Sequence, residues 1–201
     1  MNSLALSDGV LLIAAIAIVM KSSASTGIRL SAAVFAAAAF LGVLRFSTLL
    51  PLPGMHSFFS GLGASAAYPL LAAAFLWPDS AVAQSWRFAS IFLIIAGAFG
   101  LIASALDFSL WGNFLAIVAV VALQLRSLKD KDIIAAAGSS SLLAALLLFS
   151  SQFSLPPALQ PGDFLHLFMA LGLTLMATRS LRFPQQTKAV DLSGVSQTLL
   201  D

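Results

Sequence analysis

The chain has no cysteine, only two histidines (His56 and His166) and little charge: 9% of its 201 residues are Asp, Glu, Lys or Arg. The missing cysteines exclude disulfides, thiolate nucleophiles, iron–sulfur clusters and cysteine-based zinc sites. A water-facing domain carries about 25% charged residues. At 9% there is not enough charge to clothe a soluble surface, and disorder is excluded for the same reason. Ten Lys and Arg spread between apolar runs do not form a nucleic-acid footprint, so no nucleic-acid partner is expected. The chain is instead rich in apolar residues, 60% of the total, with a mean hydropathy of +1.00. These values belong to an integral membrane protein whose principal partner is membrane lipid.

A spanning helix needs about 17–25 mostly apolar residues. Seven segments meet that length, near 4–20, 30–50, 56–77, 86–106, 108–125, 133–152 and 162–178. PLPG (51–54), WPDSAVAQSWR (77–87), ALDFS (105–109), RSLKDKD (126–132) and SLPPALQPGD (154–163) interrupt them with turn chemistry. The runs are apolar all round, without the period of two that marks barrel strands. The reading is an all-α polytopic protein, with a seven-helix transmembrane domain over 1–178 and a polar cytoplasmic tail over 179–201. GVLLIAAIAIVM (9–20) resembles a signal-peptide core, but Asp8 precedes it and Lys21 follows it. That charge order is the reverse of a secretory signal, so it is read as a retained first span.

Basic residues set the orientation. With seven spans, Lys21, Arg29, Arg87, Arg126, Lys129, Lys131, Arg179, Arg182 and Lys188 share one side, and Arg45 alone falls on the other. The N-terminus is therefore expected outside and the C-terminus in the cytoplasm, in a bacterial cytoplasmic (inner) membrane. Asp79, Asp130, Asp132 and Asp191 lie among the basic loops or in the tail and read as solvated charges.

The outer side then collects Asp8, Arg45, His56, Asp107, Asp163 and His166 at one depth. Asp107 and Asp163 precede helices and could cap them. A weak internal repeat adds to the convergence. RFSTLLPLPGMHSFF (45–59) and LFSSQFSLPPALQPGDFLHLFM (148–169) both run from FS through a proline-rich turn and PG to His, then Phe. Each half reads Asp, helix, basic loop, helix, Pro–Gly turn, His, helix, which gives a 3+1+3 parallel repeat around the fourth span. Two pairs, Asp8/His56 and Asp107/His166, would face one another across a pseudo-twofold axis. Two imidazoles and two carboxylates suit zinc or another divalent metal, or hydrogen-bonded Asp–His pairs that handle protons. A haem held between the two imidazoles is a third arrangement. Arg45 either pairs with a carboxylate or snorkels to an anionic headgroup.

His56, Asp107 and His166 in this layout resemble the pattern of the alkaline ceramidases and progestin/adiponectin-type receptors, a superfamily of seven-helix, zinc-containing membrane hydrolases. The resemblance covers the layout of residues 1–178. In it, His56 and Asp107 match the early His and the central Asp, and His166 matches the first His of a His-x-x-x-His in the last helix. Ala170 stands where the second would be, and the nearest upstream serine considered, Ser47, lies nine residues before His56. The resemblance implies a metal-dependent hydrolase acting on a lipid or amide. The alternative is a non-enzymatic accessory subunit of a membrane complex, with protein partners in the membrane, or a small transporter.

Overall fold

A computed structural model describes residues 2–50, 52–108, 110–153 and 159–179. Seven long helices occupy them: α1 (Ser3–Val19), α2 (Thr26–Phe46), α3 (Pro53–Leu76), α4 (Trp86–Ala105), α5 (Trp111–Lys129), α6 (Ile133–Ser150) and α7 (Pro161–Arg179). A single helical turn, Ala81–Gln84, links α3 to α4, and no β-strand forms among the described residues. Five helices, α2 to α6, are long and apolar enough to cross a membrane, which makes the chain a helical membrane protein. The shorter α1 has 17 residues and is also apolar. Of the tail read over 179–201, Arg179 ends α7; residues 180–201, and 154–158 of the loop read over 154–163, lie outside the described residues.

The helix ends follow local chemistry. Asn2 caps α1 by accepting the Leu4 N–H, and Asp132 caps α6 by accepting the Ala135 N–H at 3.0 Å. Proline opens α3 (Pro53) and α7 (Pro161), where its missing N–H is not needed. Two helices depart most from the sequence reading. Helix α2 starts at Thr26 and stops at Phe46; Thr48 turns left-handed (φ 65°), so residues 47–50 leave the helix. Helix α5 extends to Lys129 through the charged loop. Arg126 and Lys129 in its last turn suit the negative end of the helix dipole, and Arg126 pairs with Asp130 at 2.8 Å.

Within α3 the turn Gly63–Ala67 is a π-helix. Pro69 accounts for it: it donates no hydrogen bond and would press on the Ser65 carbonyl, so the chain widens one turn instead of breaking. The wide turn fits because its neighbours are bare. A Cβ on Gly100 of α4 would strike the Ser65 side chain, and one on Gly112 of α5 would lie 3.2 Å from Ala64.

The helices pack as a closed ring in the order α1, α2, α3, α5, α6, α7 and back to α1. Helix α4 lies outside it against α3, the Ala81–Gln84 turn and, more lightly, α2 and α5. Only 11% of its apolar window is buried, and Ile94 and Phe99 are largely exposed, as expected of a lipid-facing helix. The tightest seam is α6 with α7. Gly138 and Gly172 face each other there so closely that a Cβ on Gly172 would sit 2.8 Å from the Gly138 carbonyl. Ser141 ties the seam by donating to the Phe168 carbonyl at 2.8 Å. Small residues of this kind let helices approach in lipid, where packing replaces the hydrophobic drive.

Helices α1 and α7 run parallel. Near their starts Ser7 bonds Asp163, and near their ends Lys21 Nζ donates to the Ala177 carbonyl. First and last helices therefore traverse the bundle in the same sense, which brings the beginning of the chain against its last helix.

Candidate functional site

At the parallel α1–α7 seam four polar side chains meet in an apolar interior. Asp163 stands in the first turn of α7, and its Oδ2 accepts the Gln160 backbone N–H at 2.8 Å while the Asp163 N–H returns to the Gln160 carbonyl at 3.0 Å. The carboxylate thus supplies one half of a capping box, holding the backbone N–H of the residue before the helix. The other carboxylate oxygen, Oδ1, accepts the Ser7 hydroxyl at 2.8 Å. Ser7 Oγ lies 3.2 Å from His166 Nδ1, and His166 Nε2 lies 3.4 Å from Asp8 Oδ1. Asp163, Asp8 and Ser7 are 0%, 1% and 4% exposed, so each depends on these partners for polar contact.

The geometry distributes the protons. Ser7 gives its hydrogen to Asp163, so its oxygen is left to accept the Nδ1–H of His166. Nε2 is left facing Asp8 Oδ1 at 3.4 Å, close enough for the carboxylate to pair with an imidazolium. Asp8 Oδ2 has no hydrogen-bond partner and rests against Gly42 of α2, where a Cβ would collide with the carboxylate. Gly42 thus leaves the space that Asp8 fills.

A second pair lies on α2 and α3. Arg45 Nη1 approaches His56 Nδ1 at 3.3 Å, and the guanidinium carbon lies over the Phe46 ring, 5.1 Å from its centre. Phe46 in turn meets His56 edge-on, with ring centres 5.6 Å apart. A guanidinium can only donate, so Nδ1 accepts and the free nitrogen of His56 carries the hydrogen. Arg45 makes no ion pair with a carboxylate among the described residues.

Both pairs line one cavity of about 890 Å³. Asp8, His166, Arg45 and His56 lie in its wall together with apolar groups such as Leu11 and Phe35. Ser7 and Asp163 are not in the wall; they stand behind His166 and fix its ring. Asp107 falls elsewhere. It is exposed, in the left-handed conformation (φ 62°), at the end of α4, where the Phe108 N–H closes back on the Ala103 carbonyl at 2.9 Å. That is a helix C-terminal turn; α5 begins only at Trp111, with no side-chain cap. Of the two carboxylates thought able to cap, Asp163 does so.

The arrangement answers the metal question in part. No group of three or more His, Cys, Asp or Glu among the described residues is placed to hold a metal ion. His166 directs one nitrogen at Ser7 and the other at Asp8, Asp107 lies apart on its loop, and buried Ala170 replaces the second helix-7 histidine. These residues do not fit a zinc centre of the kind the resemblance implies, and no step is routed through a metal below.

Sequence reasoning passed over Ser7 and Gly42. Ser7 had a signal, since it sits beside Asp8 on a span otherwise apolar at that level. Gly42 had none beyond being small. Comparison of the chain with protein-family models, curated proteins and solved structures gives no match.

Proposed function

We propose that the chain is a seven-span protein of a bacterial inner membrane, N-terminus outside, that binds a lipid-like amphiphile in this cavity and hydrolyses an ester or amide bond in it. One observation carries the reading: a carboxylate and an imidazole, 3.4 Å apart and braced from behind by Ser7 and Asp163, face a large cavity that is otherwise mainly apolar. The cavity wall includes both Arg45 and Phe35 of α2, ten residues and so about 15 Å apart along the helix. That is about half of a 30 Å hydrocarbon core, the depth of one leaflet. A headgroup at the Asp8–His166 level would leave an acyl chain running down beside Leu11 and Phe35.

In such a complex, with the Asp8 carboxylate beside it to pair with the imidazolium, His166 takes a proton through Nε2 from water as the water oxygen adds to the acyl carbon. It returns the proton to the alcohol or amine as the acyl bond breaks. Ser7 and Asp163 hold the imidazole ring in one tautomer and one orientation throughout. The seven-span topology is supported by the parallel α1 and α7, which require an odd number of crossings if both span. The orientation is supported by the basic loops. The 3+1+3 repeat is supported by the ring order, since exchanging α1–α3 with α5–α7 leaves every neighbour relation of the ring unchanged.

The test uses the full chain purified into vesicles with acyl-labelled phospholipid and N-acyl lipids, scored for released fatty acid by mass spectrometry. Release is expected from the native chain and a loss of at least about a hundredfold from Asp8→Asn and His166→Ala. Turnover that persists in both variants would reduce the cluster to a tether between α1 and α7 and leave the accessory-subunit reading in its place. A reporter fused after Asp132 that reads external would overturn the orientation.

A further inference from the structure

The cavity has two chemically different corners, and the difference bears on its occupant. The α1–α7 corner holds carboxylates. The α2–α3 corner holds Arg45 and His56, and the contact between them leaves nothing but N–H donors: the guanidinium has no acceptor, and His56 spends its one acceptor on Arg45. No carboxylate among the described residues neutralises that guanidinium. Its Cζ lies over the Phe46 ring, 5.1 Å from the centre, and among the described residues His56 is its one side-chain hydrogen-bond partner. A fixed fork of donors at a cavity wall matches a phosphate or carboxylate, which offers only acceptors.

We propose that Arg45 and His56 form an anion subsite, and that the amphiphile bound in the cavity carries an anionic headgroup, its charged group on Arg45 and His56. This rests on the amphiphile reading above. It adds the headgroup class and makes Arg45 the specificity-determining residue. A neutral headgroup would leave the Arg45 charge without a partner at a partly buried position. A cationic one would be repelled there.

Native mass spectrometry of the full chain in an uncharged detergent tests it, with phosphatidylglycerol and phosphatidylcholine of identical acyl chains offered in competition and inorganic phosphate in a separate arm. One phosphatidylglycerol per chain is expected, preferred by about tenfold, the worth of a charge-assisted hydrogen bond. Arg45→Gln should abolish the preference, while Arg126→Gln, at a residue paired with Asp130, should leave it intact. Ala38→Phe, which fills the cavity wall below Arg45, should release the lipid although Arg45 remains. Equal retention of the two lipids, or an unchanged preference in Arg45→Gln, overturns the headgroup assignment and leaves the amphiphile reading standing. Retention in Ala38→Phe places the lipid on the outer surface and overturns the subsite. Binding of inorganic phosphate that Arg45→Gln removes, with neither lipid retained, keeps the anion subsite and removes the amphiphile.

Discussion

His56 and His166 both follow a Pro–Gly helix start, two and four residues on, and come to rest in opposite company. Each follows a Pro–Gly pair at the start of a helix, Pro53–Gly54 for α3 and Pro161–Gly162 for α7. His166 meets α1 and finds Ser7, Asp8 and, through Ser7, Asp163. His56 meets α2 and finds Arg45. The motif sets the height of each imidazole in the bundle; the neighbouring helix decides its electrostatics. A repeated sequence element can therefore supply two unlike corners of one cavity, one acidic and buried, the other basic and part-exposed.

The largest effect that would test this contrast is at Asp163. Asp163→Ala removes the carboxylate that caps the Gln160 N–H and takes from the Ser7 hydroxyl its bond to α7's first turn, leaving it the Leu4 carbonyl and His166, at a cost of about 1–3 kcal/mol. Arg45→Ala, at the basic corner, should cost under about 1 kcal/mol. Reversible unfolding in mixed micelles measures both, and equal losses would mean that the two corners are alike in their contribution to the bundle.

Next comes Gly42. Gly42→Ala sets a methyl group against the Asp8 carboxylate, and the backbone of α2 cannot move without opening the α1–α2 seam. A destabilisation of about 1–3 kcal/mol is expected, together with loss of whatever turnover Asp8 supports. Full stability with full turnover would show that Asp8 has another place to go.

The histidines themselves give the direct comparison. His166→Ala leaves both oxygens of a carboxylate that is 1% exposed without a partner, for about 1–3 kcal/mol. His56→Ala frees an arginine that reaches polar surroundings, and should cost under about 0.5 kcal/mol. A reversed order would move the buried cluster from α7 to α3.

Much of this fold was readable beforehand, and for definite reasons. Low charge and seven apolar runs located every long helix within a few residues, because a membrane span has a fixed length and loops must carry the polar groups. Proline, glycine and basic residues marked the ends for the same cause. What the chain could not display one-dimensionally was which helix neighbours which. The approach of α1 to α7 decides that Asp8 pairs with His166 and not with His56, and that Asp107 stays on its loop. Ser7 adjoins Asp8 in the sequence, and adjacent helical residues diverge. Ser7 and Asp8 do diverge, yet α7 packs so that His166 reaches both, one with each ring nitrogen. Gly42 was concealed because its function is the volume it leaves empty.

The smallest expected effect is also the cleanest comparison, since it uses equivalent glycines at the two helix starts. A Cβ on Gly54 would meet nothing within 4 Å, whereas one on Gly162 would come 2.7 Å from Leu4 Cδ2. Gly54→Ala should therefore stabilise by about 0.5 kcal/mol, through the lower entropy of the unfolded chain and better helix propensity. Gly162→Ala receives the same gain and must also push aside the tip of a leucine side chain at the α1–α7 seam. That tip can rotate, so the two terms should nearly cancel and leave a change within about 0.5 kcal/mol of zero. The difference between the variants, read from paired unfolding curves, isolates how closely α7 is held to α1 compared with α3 to its surroundings. Equal stabilisation by both would mean that Leu4 yields without cost and that the parallel seam at this level is looser than the Ser7–Asp163 bond requires.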